Sequence, residues 1–203
     1  MKQVLLVTDG IFHPPLLGRL ILQRTLKKMP GYRFEHVRSL EQLPNNLEAF
    51  SAMVVYFHHK KIAKNAVDAF ESYLSRGGGV LAIHAATASA KENRAFTDVL
   101  GGRFIGHGPV EPFIVTPTSP ESEIFSGIPG FEVTDELYLH ETQPDIRTHF
   151  TTLHEGQPVP IVWTRTHGKG RVCYACPGHK AASLRIPAYQ EILRRGLDWV
   201  CNR

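Results

Sequence analysis

The 203-residue chain reads as one α/β domain, a mostly parallel sheet with helices packed on both faces, and three observations carry that expectation. Short, continuously apolar runs recur at Val4–Val7, Met53–Val55 and Val80–Ile83, the pattern of strands buried on both sides. Between them lie segments whose apolar residues fall three and four apart, such as Ala63, Ala66, Val67, Phe70 and Leu74, which line one face of a helix. Glycine and proline separate the segments at Pro30-Gly31, Gly77-Gly78-Gly79 and Gly101-Gly102. The first half therefore runs β-α-β-β-α-β, the alternation of a doubly wound parallel sheet.

The totals exclude several classes. The 23 basic and 19 acidic residues leave a net charge of +4, and the basic side chains are scattered, so neither nucleic acid nor a membrane surface is an expected partner. Val4–Val7 is too short for a secretory apolar region, and no run approaches the ~20 residues that span a bilayer. The expectation is a soluble, cytoplasmic protein, with assembly into a homo-oligomer left open. Cys173, Cys176 and Cys201 are odd in number and fit reduced thiols. Cys173 and Cys176 match C-x-x-C, but three residues apart on a strand they point to opposite faces. Eleven histidines are the unusual feature of the composition.

Taken in order, a strand at Val4–Thr8 leads into a loop through Asp9-Gly10 and Pro14-Pro15, whose prolines delay a helix until Leu16. Arg33–Val37 and Ser51–Phe57 are the next strands, the latter running into His58-His59-Lys60-Lys61. After the helix that ends at Gly77, Val80–Ile83 is the central strand, and the small Ala85, Ala86 and Ala88 permit a sharp turn. That turn presents His84 at the carboxyl end of the strand, where open α/β sheets bind ligands. A helix over Lys91–Leu100 follows, then Phe104–His107 leading into Val110–Val115. The stretch from Pro117 to Asp145, rich in Pro, Gly, Ser and acidic residues, reads as a long irregular excursion with a short strand near Phe131–Val133. Ile146–Leu153, Pro160–Arg165 and Arg171–Cys176 are strands, and Pro187 opens a last helix with Tyr189, Ile192, Leu193, Leu197 and Val200 on one face. No repeat, linker or second domain is visible over 1–203.

Histidines follow four of these strands: His13, His58, His84 and His179. On parallel neighbours the four rings would converge at one edge of the sheet. His36, His149, His154 and His167 sit in strand or hairpin positions and read as structural. Asp135-Glu136 is either a solvated turn or a carboxylate pair that joins the rings, where it would orient an imidazole, bind a metal or act as a base. Imidazole with carboxylate suits Zn, Fe, Ni or Mn, with Zn or Mn the divalent ions expected, although the dispersed spacing matches no metal signature. Neither G-x-G-x-x-G nor a Walker-type lysine motif occurs, so no nucleotide cofactor is expected. The site expected is catalytic His84, Glu136 and His179, with Asp9, His13, His58, His59, His107 and Asp135 lining a substrate pocket.

Gly77-Gly78-Gly79 with Ile83-His84-Ala85-Ala86, Leu100-Gly101-Gly102-Arg103-Phe104 with His107, Asp135-Glu136-Leu137-Tyr138, Pro160-Ile161-Val162-Trp163, Gly168-Lys169-Gly170-Arg171-Val172 and Gly178-His179 come in the order and spacing of one family. From about residue 51 onward the chain resembles the trehalose-utilisation (ThuA-like) family. The resemblance implies the class I glutamine-amidotransferase-like fold, a three-layer, flavodoxin-like sandwich. By the same resemblance, the elbow that holds a nucleophilic cysteine in amidotransferases is here Ala82–Ala86, with His84 in place of the cysteine. An imidazole cannot form the thioester, so glutamine hydrolysis by that route is not expected. The family is associated with disaccharide breakdown alongside dehydrogenases that oxidise the sugar at its third carbon, which implies a small-molecule carbohydrate as partner and isomerisation, elimination or hydrolysis of a keto-sugar or glycoside. His58-His59 departs from the Gly-His usual after the third strand, and Pro177 from the leucine usual before Gly178-His179. Two other readings compete: a non-catalytic binding or assembly module on the same fold, and a thiol enzyme using Cys176.

Overall fold

A computed structural model of the chain describes residues 1–10, 16–119 and 123–202. Its strands are β1 (Lys2–Thr8), β2 (Tyr32–Val37), β3 (Ala52–Tyr56), β4 (Gly79–Ile83), β5 (Gly102–Pro117), β6 (Phe131–Thr142), β7 (Arg147–His154), β8 (Gln157–His167) and β9 (Gly170–Ala175). They form one sheet in the order β2-β1-β3-β4-β9-β8-β7-β5-β6. The helices are α1 (Leu16–Lys27), α2 (Lys64–Ser75), α3 (Arg94–Leu100) and α4 (Pro187–Cys201). α4 packs on β3, β4 and β9, while α2 and α3 pack on each other and on β9. β3 and β4 are buried along their whole length, as their unbroken apolar sequences require. No described helix is long and apolar enough to cross a membrane.

The sheet is mixed, which corrects the expectation of a mostly parallel one. β1 pairs in parallel with β2 and β3, β4 with β3 and β9, whereas β9-β8, β8-β7, β7-β5 and β5-β6 are all antiparallel. For β7-β8 and β8-β9 the connections give the reason: strands joined by a two-residue turn can only run antiparallel. Between β7 and β8 that turn is Glu155-Gly156, both at positive φ (50° and 76°), the conformation hairpins favour.

The second correction concerns 117–145. Its latter part is no loop, because Phe131–Thr142 forms the twelve-residue β6. β6 pairs with β5, itself one continuous strand bulged between Phe104 and Gly106 and between His107 and Val110. The helix expected from Lys91 begins only at Arg94, after Asn93 caps it by accepting from the Phe96 N–H, and it ends at left-handed Gly101.

Candidate functional site

β4 runs out at Ile83, and His84 then takes a φ of +46°, a conformation uncommon for a residue with a Cβ and the kind of backbone strain that gathers at functional turns. The turn is held from the far side by the loop after β9. A Cβ added at Gly178 would stand 2.6 Å from His84 Cβ, so only glycine lets the two segments meet. His84 is fully buried, and its Nδ1 lies 2.8 Å from the Cys176 carbonyl. A carbonyl only accepts, so Nδ1 carries the proton and Nε2 keeps its lone pair, a tautomer assigned from this contact. Nε2 stands 3.7 Å from Glu136 Oε2, and the Tyr138 ring lies 4.0 Å from the imidazole.

Glu136 gathers the site. Its Oε2 is 3.2 Å from His179 Nδ1, and its Oε1 is 3.8 Å from His107 Nδ1. One ligand atom each from His84, Glu136 and His179 falls within a 4.8 Å span. The two imidazoles and the carboxylate could thus hold a metal, and Glu136 Oε2 is buried without accepting a hydrogen bond from a described residue.

Asp135, its neighbour, behaves differently. It is fully buried, and its carboxylate accepts from the Gly178 and His179 N–H groups at 3.0 Å, from the Lys180 N–H at 3.3 Å and from the Ser183 hydroxyl. Burial pushes its pKa up, with the Ser183 hydroxyl and the backbone donors opposing. Asp135, expected from sequence to line a substrate pocket, clasps the loop that carries His179.

The remaining expected residues divide. His107 sits at the β5 bulge, its ring stacked on Tyr138 with centroids 5.7 Å apart and its Nδ1 2.7 Å from the Gly108 carbonyl. His58 lines a cleft of about 400 Å³ with Lys60, Ala88, Lys91, Glu92 and Phe104. The Phe104 ring lies 4.4 Å from Tyr138, so the cleft abuts the histidine cluster. Burial, then Lys60 and His59, hold the His58 pKa below its ordinary value. His59 and Asp9 pair with each other at 3.2 Å, and Arg38 completes that separate group. His13 lies outside the described residues. Cys176 is fully buried and its thiol is pushed up to about 12 by burial, which removes the thiolate that a thiol enzyme needs.

Sequence reasoning missed Tyr138, Phe104 and His140. Glu136, Tyr138 and His140 are two apart, the spacing that puts side chains on one face of a strand. The His140 ring, edge-on to both Trp163 and Tyr174, bonds Thr87 Oγ1 at 2.9 Å, and burial lowers its pKa to about 3.

The sequence profile of one protein family, described as trehalose utilisation, matches residues 3–200. Among curated protein sequences no significant match is found. In fold, the chain is similar to a ThuA-like protein from Parabacteroides merdae, with 18% identity, a TM-score of 0.85 and coverage of 99% of this chain and 90% of that one. A ThuA-like protein from Bacteroides uniformis superposes with 20% identity and a TM-score of 0.81, covering 98% and 91%. The exo-β-1,4-mannosidase of an Opitutaceae bacterium matches over 98% of this chain but 36% of its own, at 13% identity and a TM-score of 0.64. At these identities the likeness is one of fold.

Proposed function

We propose that this chain, which belongs to the trehalose-utilisation family, is a cytoplasmic enzyme that eliminates or isomerises a keto-glycoside at a divalent metal held by His84, Glu136 and His179. The observation that carries the reading is the convergence of two imidazoles and a buried carboxylate within 4.8 Å, beside a cleft of about 400 Å³, inside the ~300–1,000 Å³ of small-molecule pockets. The donor set fits the ion. Nε2 of His84 carries the ring's lone pair, its Nδ1–H is oriented by a carbonyl as metal-bound imidazoles commonly are, and two histidines with one carboxylate suit Zn or Mn. Such an ion would polarise the substrate carbonyl as a Lewis acid.

The chain's own residues supply the rest. His107 donates Nδ1–H to the Gly108 carbonyl, which leaves the lone pair on Nε2 of a partly exposed ring. In this reading that nitrogen takes the proton from the carbon next to the ketone. The C–H electron pair becomes the new C=C bond as the glycosidic C–O bond breaks, and the imidazolium returns its proton to the departing oxygen, so the net change is loss of an alcohol. Phe104 offers an apolar ring face to the sugar, and Lys60 and Lys91 offer donors to its hydroxyls. Cys173, Cys176 and Cys201 are buried thiols outside any disulfide, which suits a reducing compartment.

The test is to incubate the Mn- or Zn-loaded protein with a 3-keto glycoside and follow release of the free alcohol by NMR. Turnover that falls at least ~10²-fold in His107→Ala, with an unchanged melting temperature, supports the reading. A substrate left intact by the loaded wild-type protein, or an undiminished rate in His107→Ala, overturns it.

A further inference from the structure

We infer that the surface between α1, the short turn Ser183–Arg185 and α4 is a second binding site, for a small phosphate-bearing anion that the proposed sugar chemistry does not use. Ile21, Arg24 and Thr25 recur along one face of α1, Lys28 follows its last residue, and Gln190 and Arg194 recur four apart on α4. With Arg185 from the turn they line a cavity of about 410 Å³. Every charged side chain in that lining is a cation.

The charges are not balanced locally. The side chains of Arg24, Lys28 and Arg185 are exposed and make no hydrogen bond or ion pair among the described residues. Arg24, in the last turn of α1, and Lys28, just past its end, put two like charges on one wall of the cavity. The nearby Glu191 carboxylate is already shared between Arg194 Nη2 and Arg195 Nε, each at 2.7 Å. Arg194 Nε remains buried with no hydrogen-bond partner among the described residues. A concave surface walled by one sign of charge focuses its field on an anion, and guanidinium groups meet phosphate oxygens in pairs of parallel N–H bonds.

Size and placement narrow the ligand. The cavity is larger than an inorganic phosphate needs, and Ile21 adds an apolar wall, so a phosphomonoester with a small organic body fits better than the bare ion. The site also lies behind the loop that carries His179. Arg185 is two residues from Ser183, whose hydroxyl is held by Asp135, and Gln190 Nε2 donates to the Leu184 carbonyl at 2.8 Å. An anion on Arg185 would brace the turn on which the Asp135 clasp depends.

The experiment is a calorimetric and thermal-shift titration of the full chain with inorganic phosphate and pyrophosphate, against sodium chloride at matched ionic strength. The inference predicts a saturable rise in melting temperature beyond the chloride control. It also predicts at least tenfold weaker binding in Arg185→Gln and in the double variant Arg24→Gln/Lys28→Gln, with binding retained in His179→Ala. The substituted cations are exposed and unpartnered, so these variants should fold, and circular dichroism checks that they do. An equal response to chloride, unchanged binding in the cation variants, or a response lost in His179→Ala would each overturn the inference, the last by placing the anion at the histidine cluster. None of these outcomes depends on turnover of a sugar.

Discussion

Carboxylate meets imidazole at two places after the parallel strands of the sheet. At Asp9, on the segment leaving β1, the partners are His59 at 3.2 Å and Arg38 at 3.1 Å, and the arginine side chain is 67% exposed. Burial pushes Asp9 up, but the Gly10 backbone, His59 and Arg38 outweigh it and hold the carboxyl below its ordinary range. At Glu136 the side chain is only 11% exposed, and its ion-pair partners among the described residues are three imidazoles, with no lysine or arginine. The first group already holds its own cation and is electrostatically complete. The second presents a buried carboxylate and two ring nitrogens to a common point, which suits a cation from outside. A carboxylate beside a histidine is thus not enough to mark a site; what matters is whether the protein has already neutralised it.

The largest effect expected from this contrast is on turnover. His84→Ala and Glu136→Gln should each lower the rate on a keto-glycoside by ~10²–10⁴-fold, while Asp9→Asn should leave it within about twofold; steady-state assays on the purified variants decide, and a large loss in Asp9→Asn would erase the distinction. Next comes the clasp. Asp135→Ala removes the acceptor of four backbone N–H groups, those of Glu136, Gly178, His179 and Lys180, and of the Ser183 hydroxyl, and should cost about 3 kcal/mol in urea unfolding, in line with buried donors that lose their acceptor. A cost near that of a surface change would mean the loop is held by something else.

A smaller, pH-dependent effect comes from His140 and His149, whose folded pKa values are lowered by burial to about 3 and about 4. Unfolded, both titrate near pH 6.5. Between those limits the unfolded chain binds more protons, so their contribution is complete above about pH 6.5 and is lost as pH falls towards the folded values. Urea midpoints should drop from pH 7 to pH 4, and drop less in His140→Gln. The smallest effect is on the stability of Asp9→Asn, expected to change by less than about 1 kcal/mol because the group is a partly exposed ion pair; equilibrium unfolding measures it.

Much of the fold was legible because apolar periodicity is local. The order β1-α1-β2-β3-α2-β4 and the placement of His84 at the end of β4 follow from Val80–Ile83 and its glycine and alanine flanks. β6 was hidden because Asp135 and Glu136 interrupt its apolar alternation just where the strand is buried. Their burial depends on Gly178, His179, Lys180 and His84, all distant in sequence, so propensity could not report it. Strand direction was also obscured, and the left-handed Glu155-Gly156 turn that sets β7 against β8 appears only in the folded chain. At the site, the histidines at strand ends pointed to His84 and His179, and the adjacent carboxylates to Glu136. The division of labour between Asp135 and Glu136 appears only with the partners in place. His58, expected beside the others, lines the neighbouring cleft instead.

The measurement that bears most directly on the central claim is elemental analysis of protein purified without chelators, paired with Zn and Mn titrations read by calorimetry and thermal shift. The account predicts about one equivalent of metal per chain, and stabilisation of ~2.7 kcal/mol at a hundredfold excess over Kd, both abolished in His84→Ala and in His179→Ala. A wild-type protein that neither carries nor takes up metal, or variants that bind it as tightly as wild type, would contradict the assignment of His84, Glu136 and His179 as a metal centre.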